Sequence, residues 1–333
     1  MSFFAILRNL LLLATTGYHI YACRQEDRRT SPPGKVYDIG DCQLHLYGRG
    51  QRRPGEPVVI LDHSAGGLEG YFLVDELAEI AQVYSYDRAG YGWSTNSPNP
   101  RDAQEMMQEL ESLLGQAQIA PPYILIADST ASYTMRLYAH TYPERVAGLI
   151  FTDGLHEQAM GSLTPGLQAS RLALTLGCAL TTVAAALGLV RIAEMLGLFP
   201  VLAPALRRYA PHQLQPVLRS YRRPKHWFTL TRELLGLSRS ADQLRELSDP
   251  GVLGNLPLIS IHAEGPRPLP PWLSFLPGAA AQRLSQSMHQ ALLGLSRQSL
   301  GLSAASGHLV WLGDPEAILE AADRMMRRCS RRA

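Results

Sequence analysis

The sequence predicts an α/β protein: a mostly parallel central sheet flanked by helices, interrupted by a helical insertion. Three observations lead there. Short apolar, β-branched runs recur at Val58–Leu61, Val83–Tyr86, Tyr123–Ala127, Val146–Phe151 and Leu256–His262. Helix-length segments separate the earlier runs, which is the alternation expected of βαβ units. Between Asp153 and Leu256 lies a long stretch of helical character that contains an uncharged run, residues 172–190. At 333 residues the chain suits one large α/β domain carrying an insertion.

Composition narrows the options further. The net charge of +2 is close to zero, and no basic run is interleaved with aromatics, so nucleic acid is not an expected partner. Cys23, Cys42, Cys178 and Cys329 are scattered, without metal-ligand spacing or a disulfide framework. No internal repeat and no Gly-rich phosphate loop is visible. The Arg-rich end, Arg327 to Arg332, reads as a solvated tail.

Taken in order, the chain opens on a targeting segment. Residues 1–8 are apolar with one positive charge, and Asn9–Cys23 continues as NLLLLATTGYHIYAC. That length suits a signal-peptide h-region as much as a membrane helix. An uncleaved anchor is the favoured reading; secretion or periplasmic release after cleavage, with a lipoprotein-like site at Cys23, is the alternative. Arg and Lys flank both sides, so orientation stays open. RQEDRRTSPPGK then reads as a linker, and the first unit is residues 1–33.

Cys42–Tyr47 is an early strand-like run. Val58–Leu61 ends in a small-residue loop, Asp62–Gly67, before the amphipathic Phe72–Ile80. Val83–Tyr86 closes on Asp87-Arg88-Ala89-Gly90-Tyr91-Gly92-Trp93-Ser94. Tyr123–Ala127 runs directly into Ala127-Asp128-Ser129-Thr130-Ala131, and a helix follows with Met135, Leu137 and Tyr138 on its apolar face. Val146–Phe151 ends near Asp153. The uncharged run 172–190 is long enough for a second membrane span, but it lies between two core strands and the chain must return to the same sheet. A lid packed over a site mouth is therefore preferred. Arginines at 191, 207, 208, 222 and 223, with Lys225, edge this insertion. Such a lid is able to rest on a membrane surface. After Leu256–His262 come the strand-like Ser299–Ala304, the loop Ser306-Gly307-His308, and a helix over Asp314–Arg328.

The strand–turn–helix around Ser129 has the form of a nucleophile elbow, small-x-Ser-x-small. Sterics fix its register. With Asp128 at the centre the flanks are Ile126 and Thr130, both too bulky; with Ser129 they are Ala127 and Ala131. The simpler alternative is a helix N-cap. A serine hydroxyl needs a neighbouring base, and His308, last in the chain, is the best candidate. His140 and His226 fall on helix-like segments, His262 mid-strand, and His212 and His289 in lid-like or surface segments. His156 could line a pocket. Dehalogenase-like chemistry needs a carboxylate where Ser129 stands.

In PGKVYDIGDCQLHLYGRG, VVILDHSAGG, VYSYDRAGYGWS, PPYILIADSTASYTMRLYAHTYPERVAGLIFTD and SGHLVWLGDPEAILEA the chain resembles the α/β-hydrolases. It is most similar to a branch of small, often membrane-tethered serine hydrolases with a helical lid. The resemblance implies an α/β-hydrolase core at 34–153 and 256–333, a lid at 154–255, and Ser-His-Asp acyl transfer on a small or lipophilic ester. It implies an oxyanion hole from the N–H groups of Ala65 and Thr130, in a loop where Ser64 replaces a usual glycine. It places His63 on that loop. The usual acid position falls on Pro266, so the acid is Asp153 or, as the alternative, Glu264. Asp87 and Arg88 resemble a structural turn. No metal or organic cofactor is implied. Several departures at one site keep a second class open: a non-catalytic relative that binds a ligand or partner.

Overall fold

A computed structural model describes residues 3–68, 70–198, 209–265 and 278–330. Pro266, Arg207 and Arg208 lie outside the described residues. A single eight-stranded sheet forms the centre: β1 (Lys35–Asp38), β2 (Gln43–Arg49), β3 (Val58–Asp62), β4 (Val83–Asp87), β5 (Tyr123–Asp128), β6 (Val146–Thr152), β7 (Leu258–Ala263) and β8 (Ser299–Ala304). Its order is β1-β2-β4-β3-β5-β6-β7-β8. β2 pairs antiparallel with β1 and β4, and every other pairing is parallel.

The helices are α1 (Phe3–Arg29), α2 (Gly70–Leu77), α3 (Ala103–Gln116), α4 (Ala131–Thr141), α5 (Gln158–Gly161), α6 (Pro165–Ala186), α7 (Leu189–Met195), α8 (Pro211–Tyr221), α9 (Pro224–Gln243), α10 (Gly278–Gly294), α11 (Val310–Gly313) and α12 (Pro315–Ser330). Those packed on the sheet bury both its faces. Val59, Leu61, Ile124, Ile126, Ile150 and Ile261 point to one side, where Leu73 and Leu77 of α2 and Ile318 and Met325 of α12 meet them. Val58, Ile60, Leu125, Ala127, Leu149 and Phe151 point to the other, against Leu110 and Leu113 of α3 and Met135 and Tyr138 of α4. This period-two split is why the central strands read as unbroken apolar runs. Each fully buried Leu or Ile contributes roughly 1.5–3 kcal/mol of transfer free energy.

Two expectations are revised. The charged run after Cys23 is not a linker; it forms the last turns of α1, which reaches Arg29. Its Glu26 and Asp27 find arginine partners on the insertion, so tertiary ion pairs hold helical what composition alone would leave loose. The uncharged run 172–190 is not one helix. α6 stops at Ala186, and Gly188, at φ +78°, starts α7. α1 and α6 are both long and apolar enough to cross a membrane.

Candidate active site

β5 ends at Asp128, and the next residue, Ser129, has φ +48°. The left-handed region is costly for a side chain bearing a Cβ, by roughly 1–3 kcal/mol, and it persists only where the surroundings over-determine it. Here they do. The Ser129 N–H donates to Thr152 O at 3.0 Å, and its carbonyl accepts from Leu155 N at 3.2 Å and from Ser132 Oγ at 2.7 Å. Ala127 and Ala131 are fully buried, so neither flank has room for more than a methyl group. Thr130, not Ser129, is the N-cap of α4, and it makes no side-chain cap bond. The N-cap alternative for Ser129 is thereby corrected. Asp128 braces the turn, accepting from Thr152 Oγ1 at 2.5 Å.

One strand over, the chain repeats the device. Asp153 directly follows β6 and has φ +43°. Its N–H donates to Ile261 O at 2.9 Å. Its carboxylate meets His308 Nδ1 at 2.5 Å through Oδ2 and accepts from Ser285 Oγ at 2.7 Å through Oδ1. Glu264 follows β7, exposed to solvent, and its carboxylate accepts from Ser303 Oγ at 2.5 Å. His308 lies in the loop after β8, with 39 % of its side chain exposed, facing both the acid and the solvent side.

Behind the Asp153 carboxylate lies a layer with no motif in the sequence. Ser285 of α10 also approaches His262 Nδ1, at 3.4 Å. His262 stacks on His289 with ring centroids 5.3 Å apart, and His289 Nδ1 meets Ser260 Oγ at 2.8 Å. Burial and the neighbouring His262 lower the His289 pKa. His289, expected at the surface or in the lid, is thus a half-buried core residue. The period-two placement of Ser260 and His262 on one face of β7 was the available signal.

The loop after β3 carries Ser64 where the resemblance puts a glycine. Its left-handed residue is Gly66, at φ +74°, which leaves Ser64 and Ala65 in ordinary backbone regions. The loop is held from outside: Arg88 Nη2 donates to Ser64 O at 2.6 Å. Arg88 is buried and also faces Asp62 at 3.5 Å and Glu233 of α9 at 3.2 Å. Burial works against its charge, but those two carboxylates outweigh that and raise its pKa. Glu233 is fully enclosed, and burial raises its pKa despite Arg88. Ala65 and Thr130 line one small cavity together with Tyr133, Glu233 and Leu234. His63 has a structural part: its Nδ1 accepts from Gly70 N at 3.3 Å, leaving Nε2 to donate to Tyr86 O at 3.1 Å.

Asp87 and Arg88 brace turns, as expected. Asp87 is buried against His45 at 3.0 Å and accepts from Tyr71 Oη and Trp93 N. Burial pushes its carboxyl up, yet His45 and the hydrogen bonds hold it below the usual range. His156 is buried beside the Arg136–Glu157 ion pair, and burial lowers its pKa to about 4. Its Nδ1 accepts from Gln158 N at 3.3 Å. Among the described residues no group of His, Cys, Asp and Glu has the arrangement of a metal site.

A family model described as alpha/beta hydrolase fold matches residues 57–189. The probable transporter efuK of Hormonema carpetanum is 33% identical over 125 residues, 35% of this chain and 18% of that protein. The uncharacterized protein YqjL of Bacillus subtilis is 32% identical over 123 residues, 36% of this chain and 47% of that protein. The chain thus spans less than half the length of these two curated relatives. Among solved structures, Cfl2 from Burkholderia cenocepacia superposes with TM-score 0.65 at 20% identity, covering 88% of this chain and 95% of that one. The enol-lactonase from Burkholderia xenovorans LB400 gives 0.61 at 15%, covering 88% and 100%. A thermophilic esterase from Thermogutta terrifontis gives 0.58 at 18%, covering 86% and 94%. The chain has the α/β-hydrolase fold.

Proposed function

We propose that the protein is a serine hydrolase that cleaves a small or lipophilic carboxylic ester by acyl transfer, held at a membrane by residues 1–33 and covered by a lid at 154–255. The observation that carries this reading is the left-handed Ser129 at the end of β5, one strand from an Asp153 carboxylate 2.5 Å from His308. Ser129 Oγ attacks the ester carbonyl while His308 accepts its proton. Asp153, bonded to Nδ1, leaves Nε2 as the base and stabilises the imidazolium that forms. The N–H groups of Ala65 and Thr130 take the oxyanion. Collapse expels the alcohol, which receives the proton from His308, and water then releases the acid by the same route.

The fold alone does not choose a substrate. What favours an apolar ester is the large number of exposed apolar side chains on α1 and α6, which also support the membrane tether. A non-catalytic binding protein has no use for a serine held at φ +48°, so the strain weighs toward the enzyme.

The test is labelling of the full chain by a fluorophosphonate, with Ser129→Ala beside it. Labelling of the parent and none of the variant is expected. A folded parent that fails to label would remove the enzyme reading.

A further inference from the structure

The N-terminal helix is not a free tether. Thr15 Oγ1 donates to Leu187 O at 2.8 Å, and Thr16 Oγ1 to the same carbonyl at 3.5 Å. Leu187 is the C-cap of α6, where helix carbonyls lack intrahelical partners. Gly188 lets the two backbones close up: a Cβ there would stand 2.6 Å from Thr15 O and 2.8 Å from His19 Cβ. His19 is buried in this contact, within 3.4 Å of Arg191 Nε. Further along, Arg191 pairs with Glu26 at 2.7 Å, Arg222 with Glu26 at 3.1 Å, Arg219 with Asp27 at 2.6 Å and Arg223 with Asp27 at 2.8 Å. α1 is thus clamped to α7 and α8 by its charged end and to the end of α6 by its middle.

The clamp fixes relative depth. Thr15 lies nine residues before Arg24, about 13 Å along the axis at 1.5 Å per residue. Any membrane that takes in α1 up to its charged collar therefore meets the lid at the level of Thr15. The lid is dressed for that environment. Leu172, Leu176, Leu180 and Val183 form a stripe along α6, opposite the buried Thr175, Cys178 and Ala185, and Leu189 and Leu196 continue the exposed surface. The α6 end carbonyl is closed by hydroxyls of α1, as hydrocarbon requires of backbone groups.

We propose that the exposed apolar face of the lid is immersed in the bilayer alongside α1, its α6–α7 junction about 13 Å below the Arg24–Arg29 collar. This rests on the membrane tether proposed above and adds the lid as a second membrane-contacting element. Lipid is favoured over a second protein by the breadth of the surface. The exposed apolar side chains of α1 from Phe3 to Tyr21 cover an arc of about 200° at 100° per residue, where one partner helix needs a stripe of about half that.

The test uses the full chain with Cys23→Ser and Cys329→Ser, since Cys42 and Cys178 are buried. Single cysteines replace Leu11, Leu180, Leu196 or Glu144, each carrying an environment-sensitive nitrobenzoxadiazole. The protein is reconstituted in phosphatidylcholine vesicles with plain or brominated acyl chains. The expected result is blue-shifted emission, quenched by brominated lipid, at positions 11, 180 and 196, with neither effect at 144. Quenching at 11 alone, with water-like emission at 180 and 196, would overturn the immersed lid and leave the tether standing. Blue-shifted but unquenched labels at 180 and 196 would mean a protein partner and also overturn it. No quenching at any position would remove the tether reading and this proposal together.

Discussion

Replacing Arg88 by Met should unbalance a buried charge cluster that also holds the loop carrying Ala65. In the native protein Arg88 reaches Glu233 at 3.2 Å, Asp62 at 3.5 Å and Ser64 O at 2.6 Å, and all three charged side chains are at most 5 % exposed. Methionine fills similar space without charge, so both carboxylates lose their cation while staying buried. Stranding buried charge in this way costs about 3–5 kcal/mol, or two to four decades in the unfolding constant. The sign of its pH dependence is fixed. Glu233 already has a raised folded pKa, and losing Arg88 raises it further. A carboxyl whose folded pKa exceeds its unfolded value, near 4.3, destabilises once ionised, and protonation relieves that. The deficit relative to parent should therefore shrink as pH falls from 8 toward 5, and adding Glu233→Gln should recover part of it at pH 8. Urea denaturation of the full chain in mild detergent, followed by circular dichroism at several pH values, measures both. An unchanged midpoint, or a deficit that is flat between pH 5 and 8, would refute the reasoning. Where the variant is folded, kcat should fall by up to about 10²–10³-fold, the value of one oxyanion donor, because the Ser64 carbonyl is no longer pinned.

Other consequences are open to direct measurement. Asp153→Asn should lower kcat by about 10⁴-fold by presenting the wrong His308 tautomer, while Glu264→Gln leaves it within a few-fold; ester turnover by both variants decides between the two acids. Ser285→Ala removes a hydrogen bond to the acid, worth about 1.5–3 kcal/mol, and should lower kcat roughly tenfold or more with little change in KM. A pH–rate profile displaced along with kcat would separate lost positioning from simple loosening. Ala131→Val forces a branched side chain into a fully buried elbow position and should cost about 1–3 kcal/mol in thermal unfolding. Arg136→Ala, which leaves Glu157 buried without its arginine, should cost about 3–5 kcal/mol, and Arg136→Met with Glu157→Leu should recover most of it.

The central strands β3 to β7 were legible because each buried run is local and both sides of the sheet are covered there, so apolar composition alone marks them; the exposed β1 carries no such mark. Ser129 was legible because elbow sterics act within five residues. The carboxylate near His308 was harder. Position at the end of β6 pointed to Asp153, but its φ of +43° and its bond to Ser285 follow from tertiary packing that no local pattern encodes. Ser285, His262 and His289 come together from α10 and β7 with no recognisable spacing. The partner of Arg88 is 145 residues away in sequence, and those of Glu26 and Asp27 lie at 191 and beyond. Composition sees Arg24–Arg29 as a polar run; only the ion pairs make it a helix end.

The clamp between α1 and the insertion sets a limit on how the protein can be dissected. Cutting the chain after Arg29 to obtain a shorter, more soluble protein would delete both acids facing Arg191, Arg219, Arg222 and Arg223, leaving Glu194 as the carboxylate paired with this cluster. The arginines would repel one another, Gly188 would lose the backbone it was shaped to meet, and the Leu187 carbonyl would open to water. Such a fragment would carry a rearranged cover over an intact core. Whatever activity or binding it showed would describe the fragment, and comparisons belong with the uncut chain.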